Sequence, residues 1–179
     1  LLDQQMEAAS EAEQYELAAQ YRDQITDLRE IQASQHVAGR LGDIDVVALA
    51  LQGEVACVQL LQFRGGQLLG QQSFFPKLPE GSERSEVLPA FITQHYLGRR
   101  QQAPKEIILS EKITNIALLS RLLSNEFNQN IKLSTQVRSE RAQLLKLALT
   151  NVDNSLETHL KSKASVLEQL SAVQQAFDL

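Results

Sequence analysis

A mixed α/β (α+β) architecture is predicted for this 179-residue chain: an N-terminal antiparallel helical hairpin, a βββαβαβ sheet domain and a long C-terminal helix. Three changes of pattern carry that reading. Leu1 to about Ala33 keeps apolar residues at helical spacing. From Asp45 the pattern becomes apolar runs divided by glycine. Beyond Ser139 a helical stripe resumes and continues almost to Leu179.

In the first segment Leu2, Met6 and Ala9 mark one apolar face, and Ala18, Tyr21, Ile25 and Leu28 mark a second. The stripe lapses at Glu11 and Glu13, which suggests a tight turn. Propensity alone equally allows one continuous helix, since no strong breaker intervenes. "SQHVAGRLGD", with Gly39 and Gly42, reads as a linker. The strands follow as Asp45–Leu51, Glu54–Phe63 and Gln67–Phe75. Gln52-Gly53 and Gly65-Gly66 supply the positive φ of hairpin turns between them.

A helix is expected from about Ser85 to Leu97. Pro89 requires it either to start late or to bend. Glu106–Ser110 is a short buried strand, and Thr114 or Asn115 caps a helix ending near Asn128. Ile131–Val137 is a fifth strand. Ser139 then caps a last helix about 60 Å long at ~1.5 Å per residue. That length is expected to break near Asn151–Asn154 or Ser162–Ser165, or to place its end against another chain. The expected divisions are therefore 1–33, 34–43 (linker), 44–138 and 139–179.

Composition narrows the function. Hydrophobic residues at 43% and charged residues at 22% are ordinary for a soluble domain. A net charge of −5 argues against a general nucleic-acid clamp, which needs a cationic face. Cys57 is the only cysteine, so no disulfide framework or cysteine zinc site exists, which fits a reducing cytoplasm. No apolar run approaches the ~20 residues that span a bilayer, so no membrane partner is expected. The opening "LLDQQM" carries neither an initiator methionine nor a signal-peptide layout, and a piece of a longer protein is expected.

The βββαβαβ order resembles the ribonuclease H-like fold. "MEAASEAEQYELAAQYRDQITDLREI", Met6 to Ile31, resembles the UVR motif of bacterial nucleotide-excision repair proteins. The following "GDIDVVALALQGEVACVQLLQFRGGQLLG", then "EIILS" and "VRSERAQLLKLALTN", are similar to the central part of the UvrC family, from Met6 to roughly Leu170.

The resemblance implies DNA repair as the setting. It implies a hairpin that binds the C-terminal helical hairpin of UvrB, through Tyr15, Glu16, Ala18, Ala19, Arg22 and Asp23. Glu13 stands where the family often has leucine, and Leu17 where a charged residue is common. Physically, alanines let helices approach closely and an aromatic supplies contact area. Arg22 can bridge to a carboxylate across the interface, or to Glu16 or Asp23 at home.

The resemblance also implies two nuclease centres in the longer protein, which incise damaged DNA on both sides of a lesion with a divalent metal, Mg or Mn. The motifs of neither are present here, so no catalytic residue and no metal site are expected in this chain. Damaged DNA is expected as a partner only through the full-length complex. The alternatives are a metal-dependent nuclease domain built on Asp45, with Glu111 beside it, or a stand-alone UVR-type adaptor. Two-metal chemistry needs several converging carboxylates, and Asp43 and Asp45 read more simply as the end of the linker and the start of a strand. His36, His95 and His159 show no ligand spacing. Arg138, Arg141 and Lys146 around the start of the last helix form a possible DNA-contacting set, with Arg99 and Arg100 in a separate loop. Ser139 replaces a glycine usual in the family.

Overall fold

The computed structural model describes residues 2–12, 14–98 and 102–177, and for residues 30, 31, 33–40, 176 and 177 the backbone alone. Arg99 and Arg100 lie outside the described residues, as does the side chain of His36.

Two helices open the chain, α1 (Leu2–Glu11) and α2 (Tyr15–Leu41), packed against each other. The chain reverses between them: the Ala12 amide donates to the Ala8 carbonyl at 3.1 Å and the Gln14 amide to the Ala9 carbonyl at 2.9 Å. The lapse in the apolar stripe is therefore a turn. The expected linker is corrected. α2 runs on to Leu41, so residues 34–41 are helical, and only Gly42, with φ +83°, ends the helix. A single interior glycine costs a helix about 1 kcal/mol, which a 27-residue helix absorbs.

The sheet contains β1 (Ile44–Gln52), β2 (Val55–Arg64), β3 (Gln67–Phe74), β4 (Glu106–Leu109) and β5 (Lys132–Ser134) in the order β3-β2-β1-β4-β5. The first three form an antiparallel meander, while β4 and β5 join in parallel. Both glycine turns sit where expected. Gly65 and Gly66 both take positive φ, as a type I′ turn requires, and Gly53 does so at the first loop position. β5 is shorter than expected, since its ladder to β4 stops at Ile108 opposite Ser134, one residue before β4 ends.

β1 is buried on both faces, and alternation divides its side chains between two cores. Val47 and Leu49 face α3 (Arg84–Ile92) and α4 (Ile116–Phe127), with Leu88, Ile92 and Leu123 among the fully enclosed residues. Val46, Ala48 and Ala50 face α5 (Ser139–Phe177), against Leu144, Ala148 and Val152. Central strands covered on both sides read as continuous apolar runs, and "VVALAL" does so.

α3 does not start late, and it continues past its proline. A reciprocal capping box between Glu83 and Glu86 sets its start at Arg84, and Pro89 lies inside it. Helical character then changes to a π-helical turn over Thr93–Leu97. Gly98 closes that turn because a Cβ there would lie 2.6 Å from the Gln94 carbonyl oxygen.

α5 is unbroken over 39 residues. Its Val152 and Leu156 pack on the sheet, but every residue from Lys161 to Gln175 is exposed, including Leu167 and Leu170. Ser139 opens α5 with φ +53°, a left-handed conformation that costs a side-chain-bearing residue about 1 kcal/mol. Ser139→Gly should therefore raise stability by about 1 kcal/mol, or ~3 °C in Tm by calorimetry. A fall in Tm would mean that the serine side chain contributes more than its backbone costs.

Candidate functional site

The hairpin closes on a narrow apolar line. Ala9 and Ile25 are buried, and Leu2, Met6, Ala18 and Tyr21 are half-buried around them. Asp3 and Arg29 pair across its open end at 3.4 Å, both well exposed. Two ridges of α2 flank the buried line and face solvent. One carries Tyr15, Ala19 and Arg22 at spacings of four and three, and the other carries Leu17 and Leu28. Tyr15 is 68% exposed at the first turn, although tyrosine rings usually bury much of their area.

Arg22 lies against Asp23, with Nη2–Oδ1 3.0 Å and Nε–Oδ1 3.2 Å, so its partner within the chain is Asp23 rather than Glu16. Glu16 is exposed in the first turn of α2, where a carboxylate suits the helix dipole. All six residues of the expected docking set thus lie on one helix, with Tyr15, Glu16, Arg22 and Asp23 exposed and both alanines half-buried.

At the start of β1 the structure builds a different kind of site. Asp45 has no exposed surface. Arg64 Nη1 donates to its Oδ1 at 2.6 Å, and the Tyr96 hydroxyl donates to its Oδ2 at 2.5 Å. The same guanidinium reaches the Phe63 carbonyl at 2.8 Å and the Gln102 carbonyl at 3.2 Å. Burial pushes the Asp45 carboxyl above its ordinary value, with Arg64 and Tyr96 pulling back. Burial, with Asp45 beside it, holds the Tyr96 phenol well above its usual range. Both Asp45 oxygens are therefore occupied by residues from β2 and the π-helical turn, an arrangement that ties those elements to β1. Asp43 accepts the Gly65 amide at 3.1 Å and so holds the β2–β3 turn.

Glu111 does not meet Asp45. Asp45 pairs with Ile107 across the β1–β4 ladder, and Glu111 lies four residues farther on, where it takes the Arg84 guanidinium. Among the described residues, no group of three or more His, Cys, Asp or Glu could hold a metal ion. His95 is buried beside Phe91 and Tyr96, and His159 stacks on Phe75 at 3.9 Å. Cys57 is buried in the core, its thiol pushed up to about 11 by burial.

The basic set around the start of α5 divides. Arg141 Nε donates to Glu106 Oε2 at 2.9 Å, and Glu106 also accepts the Ser134 hydroxyl at 2.7 Å. That guanidinium thus braces β4, β5 and α5, while Arg138 and Lys146 are exposed. Sequence reasoning missed the Asp45–Arg64–Tyr96 cluster altogether. The visible signal was an arginine beside a turn and a tyrosine in a helix, neither of which names its partner.

Known protein families match both parts of the chain. Residues 43–159 match the family model described as the UvrC ribonuclease H-like domain, and residues 1–31 match the UvrB/uvrC motif. The chain is 44% identical to the UvrABC system protein C of Colwellia psychrerythraea, covering 97% of this chain and 28% of that protein. It is 40% identical to that of Alkalilimnicola ehrlichii, over 99% of this chain and 29% of that protein. The chain thus spans under a third of the length of these curated relatives. No described helix is long and apolar enough to cross a membrane.

Proposed function

This chain belongs to the UvrC ribonuclease H-like family, and from that premise we propose that it is the UvrB-docking and scaffold region of an excinuclease subunit acting in nucleotide-excision repair. The observation that carries the reading is the hairpin within the matched motif, which presents Tyr15 and Arg22 on one solvent-facing ridge. Its occupant is the C-terminal helical hairpin of UvrB, a helical pair that covers the tyrosine ring and offers Arg22 a carboxylate. In this reading the sheet domain is the rigid mount. Incision on both sides of a lesion, with Mg or Mn, belongs to other regions of the longer protein, and damaged DNA is reached through the whole complex. The donor set around Asp45 supports that division, since Arg64 and Tyr96 already take its oxygens.

The test is titration of the isolated UvrB C-terminal hairpin into this chain by calorimetry. A one-to-one complex is expected, weakened about tenfold or more by Arg22→Glu, since a rim charge would turn from attractive to repulsive. Absence of binding at about 100 μM would remove the docking role. Mg- or Mn-dependent nicking of duplex DNA by this chain, lost in Asp45→Asn, would replace the reading with a nuclease.

A further inference from the structure

We infer that the open pocket between the end of β3 and α5 receives a nucleobase, carried by a free nucleotide or by an unpaired position in a single strand. It shares no residue with the hairpin and does not rest on the UvrB reading.

Alternation along β2 sets the floor of the pocket. Cys57 and Leu61 point into the core beneath α5, so Gln59 between them does too. Gln59 stands opposite Ser73 in the β2–β3 ladder, and Ser155 of α5 reaches the same spot. The Ser73 hydroxyl donates to Gln59 Oε1 at 2.6 Å, and the two serine oxygens lie 3.0 Å apart. Gln59 has no exposed surface, and its Nε2 meets no partner among the described residues. Turning the amide over would leave its other end unpaired instead. A buried polar group without a partner lowers stability, so this amide is held ready for an atom from outside the chain.

The pocket above the two serines has a volume of about 470 Å³, within the range of small-ligand sites. None of the residues lining it is Asp, Glu, Lys or Arg. On one side Phe75 and His159 stack at 3.9 Å with their planes 17° apart, and Phe75 is still 37% exposed. On the other side Asn154, Thr158 and Ser162 follow one another at single turns of α5.

Each feature restricts the ligand. A stacked pair of flat rings accepts a third flat ring on its open face. Amide and hydroxyl groups without a carboxylate or a cation select a neutral ligand rich in donors and acceptors. An edge atom of that ligand, entering between Ser73 and Ser155, completes the Gln59 amide. A nucleobase is flat, neutral and edged with such atoms. Lys163, exposed one turn beyond His159, stands where the phosphate of a nucleotide can follow.

The probe is deoxyadenosine 5′-monophosphate, titrated into the whole chain and followed by amide NMR shifts. Deoxyribose 5-phosphate is the arm without a base. Saturable shifts are expected at Ser73, Asn154 and His159 with half-saturation near about 1 mM, and none from the sugar phosphate. Phe75→Leu, at an exposed position, should weaken binding about tenfold through lost stacking. Gln59→Met should weaken it about fivefold without lowering Tm, since it removes a half-paired amide and keeps the volume. An oligodeoxyadenylate of about ten nucleotides separates the two sources. Binding about tenfold tighter than the mononucleotide assigns the base to a single strand, and equal affinity assigns it to a free nucleotide. No saturation by about 20 mM overturns the inference, as do equal shifts from the sugar phosphate or shifts that map elsewhere. Unchanged affinity in Phe75→Leu overturns it equally, as does a lowered Tm with unchanged affinity in Gln59→Met.

Discussion

Arg64→Met should lower stability by roughly 3 kcal/mol at neutral pH in equilibrium urea unfolding, because it leaves the buried Asp45 carboxylate without its cation. Methionine keeps most of the apolar stem, so the loss reports the charge rather than the packing. Asp45 is fully enclosed, and only the neutral side chains of Tyr96 and Gln62 would remain to donate to it. Adding Asp45→Asn to Arg64→Met should restore much of the loss, since a neutral amide is far cheaper to bury than a carboxylate. A deficit under about 1 kcal/mol would show that water reaches the site and screens the charge.

The same variant has a defined pH dependence. Burial raises the folded Asp45 carboxyl above its ordinary value of 3.8, so the folded chain binds this proton more readily than the unfolded one. The stability so contributed is full below the unfolded value and is lost as pH rises through the raised folded value. Removing the arginine raises that folded value further. The Arg64→Met deficit should therefore shrink as pH falls from 7 toward about 4, and a deficit that grows on acidification would contradict the cluster as described.

Tyr15→Ala should weaken binding of the UvrB C-terminal hairpin by about 2 kcal/mol, roughly thirtyfold, while leaving the fold unchanged within about 0.5 kcal/mol. The two effects separate because the ring is 68% exposed and lies outside both cores. An aromatic at the centre of a small helical interface supplies most of its buried area, and truncation removes that area whole. Tyr15→Phe should keep most of the affinity if contact area is the cause, and lose it if the hydroxyl is. Unchanged affinity in Tyr15→Ala would move the docking surface to the opposite ridge, Leu17 and Leu28. Joint measurement of affinity and Tm on each variant tells the outcomes apart.

Much of the architecture follows from neighbouring residues alone. Three strands, their glycine turns and the helix ending near Asn128 were legible because period and turn chemistry act over a few residues. The UVR-like run was legible too, as an uninterrupted stretch whose six docking candidates share one helix. Continuity of helices was not. Gly39 and Gly42 look alike in sequence, yet one lies within α2 and the other ends it. The expected break in α5 is also absent, because helical propensity carries the chain past the edge of the sheet. The Asp45 cluster lay further still from view. Arg64 and Tyr96 stand 19 and 51 residues from Asp45. Local periodicity is written into each segment, whereas meetings of this kind depend on strand register and helix placement, which exist only once the whole sheet has closed on its two cores.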